Sequence, residues 1–460
     1  MIESSETVDQ KDAQEGRANG LQLARRLGLF DATMIVMGGI IGSGIFINTY
    51  VVARQVHTPA LILGAWLMGG VIALAGAFIY AELAARHPDV GGQYAYLREA
   101  YHPAVAFVYG WTLLLVTQTG GMAAVAVTFS RYFLEITHAP LADWHIAAAT
   151  LALLTFINCL GVRAGSSVQN ALMLMKILAI VALVVCGLLF AGTPHVIATP
   201  LLDRPVSFGL LAAMGAAMTP VMFAYGGWQT ASFISGEMRE PQRDLARGLL
   251  IGVACVVVLY TGVSFACVRV LGAEGLANTT TPASAVMRLA FGERGAALIG
   301  IGISISTLGF LSQGMLTAPR VYFAMAEDGL FFRSVAWLHP RTRVPVVAIA
   351  LQGSLAIVIA LSGKYEQILN YVVSVDFILF GLTAASVFIF RRRAGVNATN
   401  MGFAIPGHPL TTTLFIFACL LIVVSIIYKY PSNSAIGLLI VVTGIPVYFF
   451  WGWWRRRSKP

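Results

Sequence analysis

Met37-Gly38-Gly39-Ile40-Ile41-Gly42-Ser43-Gly44-Ile45-Phe46 sets four glycines among seven residues, inside an apolar block running from about residue 29 to 54. A block of that length crosses a hydrocarbon core as a helix, which takes about 20 residues. Each glycine weakens a helix by about 1 kcal/mol relative to alanine, so this span is prone to break near its middle. Backbone freed by such a break is tolerated in a membrane only where it lines a cavity or is buried in protein. A packing seam is the other reading, since Gly38 and Gly42 also make the Gly-x-x-x-Gly pair that lets helices approach closely.

A second interruption tips the balance. The sixth apolar block contains Pro220-Val221-Met222-Phe223-Ala224-Tyr225-Gly226-Gly227-Trp228, a proline and a glycine pair near its centre. Twelve such blocks can be read, at roughly 29–54, 60–85, 103–130, 144–162, 165–191, 207–236, 245–270, 295–325, 344–363, 366–390, 410–430 and 434–454. Blocks one and six each open one half of a five-plus-five arrangement. Paired breaks at corresponding places in two halves point to the central site of a transporter.

Composition agrees with a membrane protein. Of 460 residues, 58% are hydrophobic and 11% are charged, against about 25% charged in soluble domains. The blocks are continuously apolar rather than alternating, so helices are expected and barrel strands are not. The fold class expected is therefore an all-α membrane protein with twelve transmembrane helices. Residues 1–28 read as a polar cytoplasmic tail without the features of a cleaved signal peptide, and 455–460 as a short C-terminal tail. With both termini inside, twenty-one Lys and Arg fall in cytoplasmic segments, eight fall outside, and Lys176 lies within a block. That bias predicts orientation in the inner (plasma) membrane and accounts for the net charge of +9 without nucleic-acid binding.

Other chemistries find little support. Cys159, Cys186, Cys255, Cys267 and Cys419 all fall inside expected spans, which suggests no external disulfide framework. The eight histidines fall in loops or at span edges, so no intramembrane haem or metal site is expected, and no cofactor. Ile41 stands where the first glycine of a serine intramembrane protease motif should be, and no Gly-x-x-x-x-Gly-Lys-Ser/Thr loop is present for direct ATP drive. An enzyme is not indicated.

The breaks suggest a ligand. A half-helix beginning after Gly42 would direct free N–H groups and a positive dipole end into the cavity, suited to a carboxylate. Half-helices ending near Ile41 and near Ala224 would expose carbonyl oxygens, suited to an ammonium. Together they complement an α-amino acid zwitterion, although a small carboxylate or an amine would satisfy half of the site.

With these residues in view, the sequence resembles the amino acid–polyamine–organocation superfamily, in its L-amino-acid-transporter-like branch, from about Leu27 to about Trp454. The resemblance is carried by the Gly38–Phe46 stretch, by Gly91-Gly92-Gln93-Tyr94-Ala95-Tyr96, by Phe223–Trp228 with Gly236-Glu237, and by Pro319-Arg320-Val321-Tyr322-Phe323-Ala324-Met325-Ala326-Glu327-Asp328-Gly329. It implies a LeuT-like 5+5 inverted repeat with broken helices 1 and 6. Repeat one would cover about 29–191 and repeat two about 207–391, with two extra helices at about 410–454. It also implies a substrate carboxylate on the N–H groups of Ser43 and Gly44, and an ammonium on the carbonyls of Ile40, Phe223 and Gly226. Phe223 would cap the substrate as a gate. Animal members bind a glycoprotein through a cysteine between spans 3 and 4. Arg131 to His145 contains no cysteine, so no disulfide-linked partner is implied.

Two ionisable residues lie deep in spans. Lys176 is 11 residues from Gly165, about 16 Å along a helix, too deep for easy snorkelling. Intramembrane ionisable residues are functional by default. By the resemblance, a lysine here stands in for the sodium ion of sodium-coupled relatives. Asp376 is read as a proton-coupling carboxylate, a side-chain selector or a buried neutral acid, with structural and functional readings both open. Glu82 and Glu237, near Arg86 and Arg239, read as solvated pairs at span ends, with an inner gate as the lesser alternative. Arg391-Arg392-Arg393 and Arg455-Arg456-Arg457 read as topology signals, and Trp451, Trp453 and Trp454 as an interfacial belt.

The function expected is sodium-independent secondary transport of L-amino acids, neutral ones favoured, by exchange or with protons as co-substrate. A cationic amino acid or polyamine permease is the alternative, and a non-transporting amino acid sensor or a channel ranks lower.

Overall fold

The structure is a computed structural model and describes residues 27–87, 91–160, 162–190, 201–202, 205–362, 365–394 and 403–457. The expected N-terminal tail up to residue 26, the last three residues, His195 and Lys364 lie outside the described residues. The described chain is helical: α1 Leu29–Ile40, α2 Gly44–Gln55, α3 Pro59–Arg86, α4 Gln93–Ala100, α5 Pro103–Thr112, α6 Gln118–Thr137, α7 Asp143–Leu160, α8 Val162–Phe190, α9 Phe208–Tyr225, α10 Ala246–Asn278, α11 Pro282–Thr317, α12 Pro319–Glu327, α13 Val346–Ser362, α14 Tyr365–Ala394, α15 Leu410–Lys429 and α16 Pro431–Arg457. No strand occurs among the described residues, only an isolated bridge between Leu27 and Met238.

Helix ends follow local chemistry. The Thr58 hydroxyl accepts from the Leu61 N–H at 3.2 Å and Pro59 occupies the first turn of α3, where its missing N–H costs nothing. Ser207 caps α9 in the same way through the Leu210 N–H. Within α11, Phe291 and Gly292 leave helical geometry, with Gly292 at φ +63°, and bend the chain between a short leading segment and the long apolar part.

Ten helical stretches among the described residues are long and apolar enough to cross a membrane. The pair α1 and α2, bent by 40°, makes an eleventh if counted as one span, and Val346–Leu361 is a shorter apolar helix. The stretch Pro103–Leu134, which includes a π-helical turn at Leu113–Thr117, is almost wholly buried, whereas α16 is exposed along most of its length. The exposed apolar residues, Leu178 and Leu189 on α8 and Phe417 and Leu420 on α15 among them, form the surface that lipid would cover.

The carboxylates at span ends are buried, contrary to their reading as solvated pairs. Glu82 is fully buried, and it accepts from Arg391 Nε at 2.8 Å and Nη2 at 2.6 Å and from the Ile405 N–H at 2.8 Å, with Arg86 at 3.0 Å. Glu237 pairs with Arg320 at 2.9 Å rather than with Arg239, and both are buried. A buried carboxylate is retained only when charges and hydrogen bonds satisfy it, as here.

Candidate functional site

The glycine-rich break forms where the sequence places it. α1 ends at Ile40; the N–H of the extended Ile41 still donates to Met37 O, and the chain turns tightly as the Gly42 N–H donates to Ile40 O at 2.9 Å. Ser43 then precedes α2, which begins at Gly44. The first N–H groups of α2 have no acceptor within their own helix.

The second break is equally local. Pro220 stands inside α9, and the Asn48 amide of α2 donates to Pro220 O at 2.8 Å. α9 stops at Tyr225, Gly226 is extended, and Gly227 takes φ +113°, after which Trp228–Glu237 winds as a 3-10 helix. The two breaks touch through main chain. A Cβ on Gly227 would lie 2.0 Å from Gly39 O, and a Cβ on Gly44 would lie 2.9 Å from both Cα and Cβ of Ala224. Glycine is required at these positions by contact, and at Gly227 by backbone conformation as well.

Both breaks border one cavity. Ile40, Gly42, Ser43, Gly44, Phe223, Ala224 and Gly226 line it on one side. Facing them are Thr117 and Gln118 at the π-helical turn, Phe310 of α11, and Val372, Asp376 and Phe380 of α14. The structure thus brings Asp376 to the cavity wall together with the expected break residues. A π turn lowers local regularity and recurs at functional sites, but nothing in Leu113-Leu114-Leu115-Val116-Thr117 announces it.

Two expected residues stand elsewhere. Ile41 is not part of the cavity lining; its carbonyl accepts from Lys176 Nζ at 2.8 Å. Lys176 is fully buried behind the break, where α8 packs against α1 and α11, and a Cβ on Gly309 would meet its Cε at 2.7 Å. Lys176 is thus held by the broken part of the first span. Nearby on α11, the hydroxyls of Ser304 and Thr307 donate to carbonyls of their own helix.

Tyr260 of α10 was not singled out from the sequence. Its hydroxyl lies 3.1 Å from Ile40 O and 3.3 Å from Ala224 O, joining the carbonyl ends of both broken helices. Its ring sits in an aromatic cluster with Trp66 and Tyr225, at centroid distances of 5.9 and 5.1 Å. Gln313 of α11 is likewise new, donating to Thr230 Oγ1 at 2.8 Å beside Gly39. Among the described residues no group of three or more His, Cys, Asp and Glu is arranged to hold a metal.

Comparison with known proteins accords with this geometry. The sequence pattern of the family described as "Amino acid permease" matches residues 27–451. The chain is 29% identical over 453 residues to "Serine/threonine exchanger SteT" of Bacillus subtilis, covering 96% of this chain and 99% of that protein. It is 27% identical to "Large neutral amino acids transporter small subunit 2" of mouse, covering 99% of this chain and 86% of that one. It is also 27% identical to the human "Asc-type amino acid transporter 1", covering 96% and 85% respectively. The match runs through both broken helices and the cavity between them, and by it the chain belongs to the amino acid permease family, in the L-amino-acid-transporter-like branch of the amino acid–polyamine–organocation superfamily.

Proposed function

We propose that this protein is a sodium-independent secondary transporter of L-amino acids, with neutral side chains favoured, working by exchange or proton-linked uptake through alternating access. One observation carries the reading: the N–H end of α2 and the carbonyl ends of α1 and α9 border the same cavity. The substrate carboxylate would rest on the Ser43 and Gly44 N–H groups, and its ammonium on the carbonyls of Ile40, Phe223 and Gly226. Phe223, half-buried at the cavity edge, would cover the substrate. Lys176 would fix the break where a cation is otherwise needed. The names of the relatives support exchange and neutral amino acids.

In this reading the chain crosses the inner membrane twelve times with both termini in the cytoplasm. Residues 29–191 and 207–391 form inverted repeats, and α15 and α16 lie outside them. The shorter helix α13 serves as the ninth span, which modest bilayer thinning accommodates.

The test is counterflow in proteoliposomes with a panel of neutral, acidic and cationic amino acids and putrescine, with and without sodium and a pH gradient. Stimulated exchange of neutral L-amino acids without sodium is expected, and exchange of none of the panel would refute the proposal. A cationic amino acid or polyamine permease is the second reading, because Asp376 places a carboxyl group on the cavity wall. Preference for lysine, arginine or putrescine in the same panel would select it.

A further inference from the structure

Behind the cavity wall lies a seam of buried phenols that the substrate site does not use. Phe380 lines the cavity, and the Tyr80 ring stands behind it at 6.3 Å. Tyr96 of α4 stacks edge-on to Tyr80 at 6.4 Å. Tyr109 of α5 lies within electrostatic reach of Asp376, Tyr80, Tyr96 and Tyr322. Tyr80, Tyr109 and Tyr322 are at most 2% exposed, and none of their hydroxyls has a hydrogen-bond partner among the described residues. The Tyr80 hydroxyl lies beside Thr383, whose own hydroxyl accepts from Gln93 and donates to Leu379 O. Thr112, one turn from Tyr109, is also buried with its hydroxyl unpartnered.

Each of these hydroxyls can donate and accept. Leaving one buried and unpaired is costly, and buried water with two to four polar partners is the usual remedy. At its far end the seam meets α4 and α12, where Tyr94 and Arg98 both bond to Asp328, whose side chain is 22% exposed. The titratable groups facing the seam are Asp376 from α14, Tyr80 from α3, Tyr96 from α4, Tyr109 from α5, Tyr322 from α12 and Cys419 from α15.

We propose that this seam is a hydrated proton path connecting the Asp376 carboxyl on the cavity wall to solvent at the Asp328 end. A proton from the outer solution adds to the Asp376 carboxylate as the amino acid binds. It is released along the seam's waters to the cytoplasmic side, restoring the carboxylate. The proposal rests on the transporter reading above, with the Asp328 end facing the cytoplasm, and it chooses proton-linked uptake over simple exchange.

The experiment uses the full chain in proteoliposomes holding a pH dye, with counterflow recorded in parallel. Addition of a neutral amino acid outside should acidify the lumen in proportion to uptake. Tyr109→Phe and Tyr322→Phe, neither of which lines the cavity, should keep counterflow and slow lumen acidification several-fold. The number of protons moved per amino acid, a ratio independent of rate, should fall to zero in Asp376→Asn. Counterflow by the wild type without acidification would overturn the path while leaving the transporter reading intact. So would wild-type proton ratios in Asp376→Asn, or unslowed acidification in both tyrosine variants. Absence of counterflow by the wild type would instead remove the transporter reading, and this proposal with it.

Discussion

Tyr260→Phe removes a single oxygen from the joint between the two broken helices. The ring keeps its packing against Trp66 and Tyr225, so no cavity is created. The hydroxyl carries one proton, shared between Ile40 O at 3.1 Å and Ala224 O at 3.3 Å, and only one bond can be strong at a time. Ile40 O keeps the Gly42 N–H as a second donor, so Ala224 O is the acceptor left worse off. Losing one such bond costs about 1 kcal/mol net, rising to about 3 kcal/mol when the abandoned carbonyl is buried. A bond present in one arrangement of the breaks and absent in another shifts their equilibrium by that amount, roughly 5- to 150-fold. Counterflow rate per inserted protein is the assay, with thermal stability in detergent as the control for folding. A decrease in rate with little change in melting temperature is expected. If Tyr260→Phe exchanges like the wild type, the hydroxyl does not tie the breaks together and this reasoning fails.

Three further outcomes follow from the same geometry. Lys176→Ala withdraws the donor from Ile41 O and should reduce sodium-free counterflow by about tenfold or more, since bonds to charged groups contribute about 1.5–3 kcal/mol; full exchange by the variant, or sodium-dependent uptake by the wild type, would show that Lys176 does not replace an ion. Gly44→Ala should insert yet lose transport because its Cβ would strike Ala224, whereas Ser43→Ala should remain active, its expected contact being the backbone N–H; purified yield and uptake check both. His408 lies in the connector before α15, where burial first and then the guanidinium of Arg391 hold its pKa below the usual histidine value. The unfolded chain therefore binds that proton more readily, so the folded state loses stability as pH falls through the ordinary histidine range and keeps it above. Melting curves at pH 5.5 and 7.5 should differ less in His408→Gln than in the wild type, and an identical difference would exclude His408 as the cause.

The broken helices were legible because glycine and proline announce themselves locally, and their positions in blocks one and six follow from counting apolar runs. The depth of Lys176 was legible from counting along its apolar block. Tyr260 was hidden because it lies in a long apolar run, 220 residues from Ile40, where an aromatic residue reads as core. Glu82 and Glu237 were misread as solvated because Arg391 and Arg320, which bury them, lie 309 and 83 residues away, which no local spacing reveals. The π turn at Leu113–Thr117 depends on how five ordinary apolar and hydroxyl residues pack, and it leaves no local mark.

The contact between Gly39 and Gly227 divides the cavity into two kinds of wall. At that joint main chain is pressed against main chain, with no room for a methyl group. Inheritance can change it only by losing it. On the facing side, Thr117, Gln118, Val372 and Asp376 line the cavity from other helices. Lineages descended from such a scaffold are free to drift there, acquiring new preferences one side chain at a time.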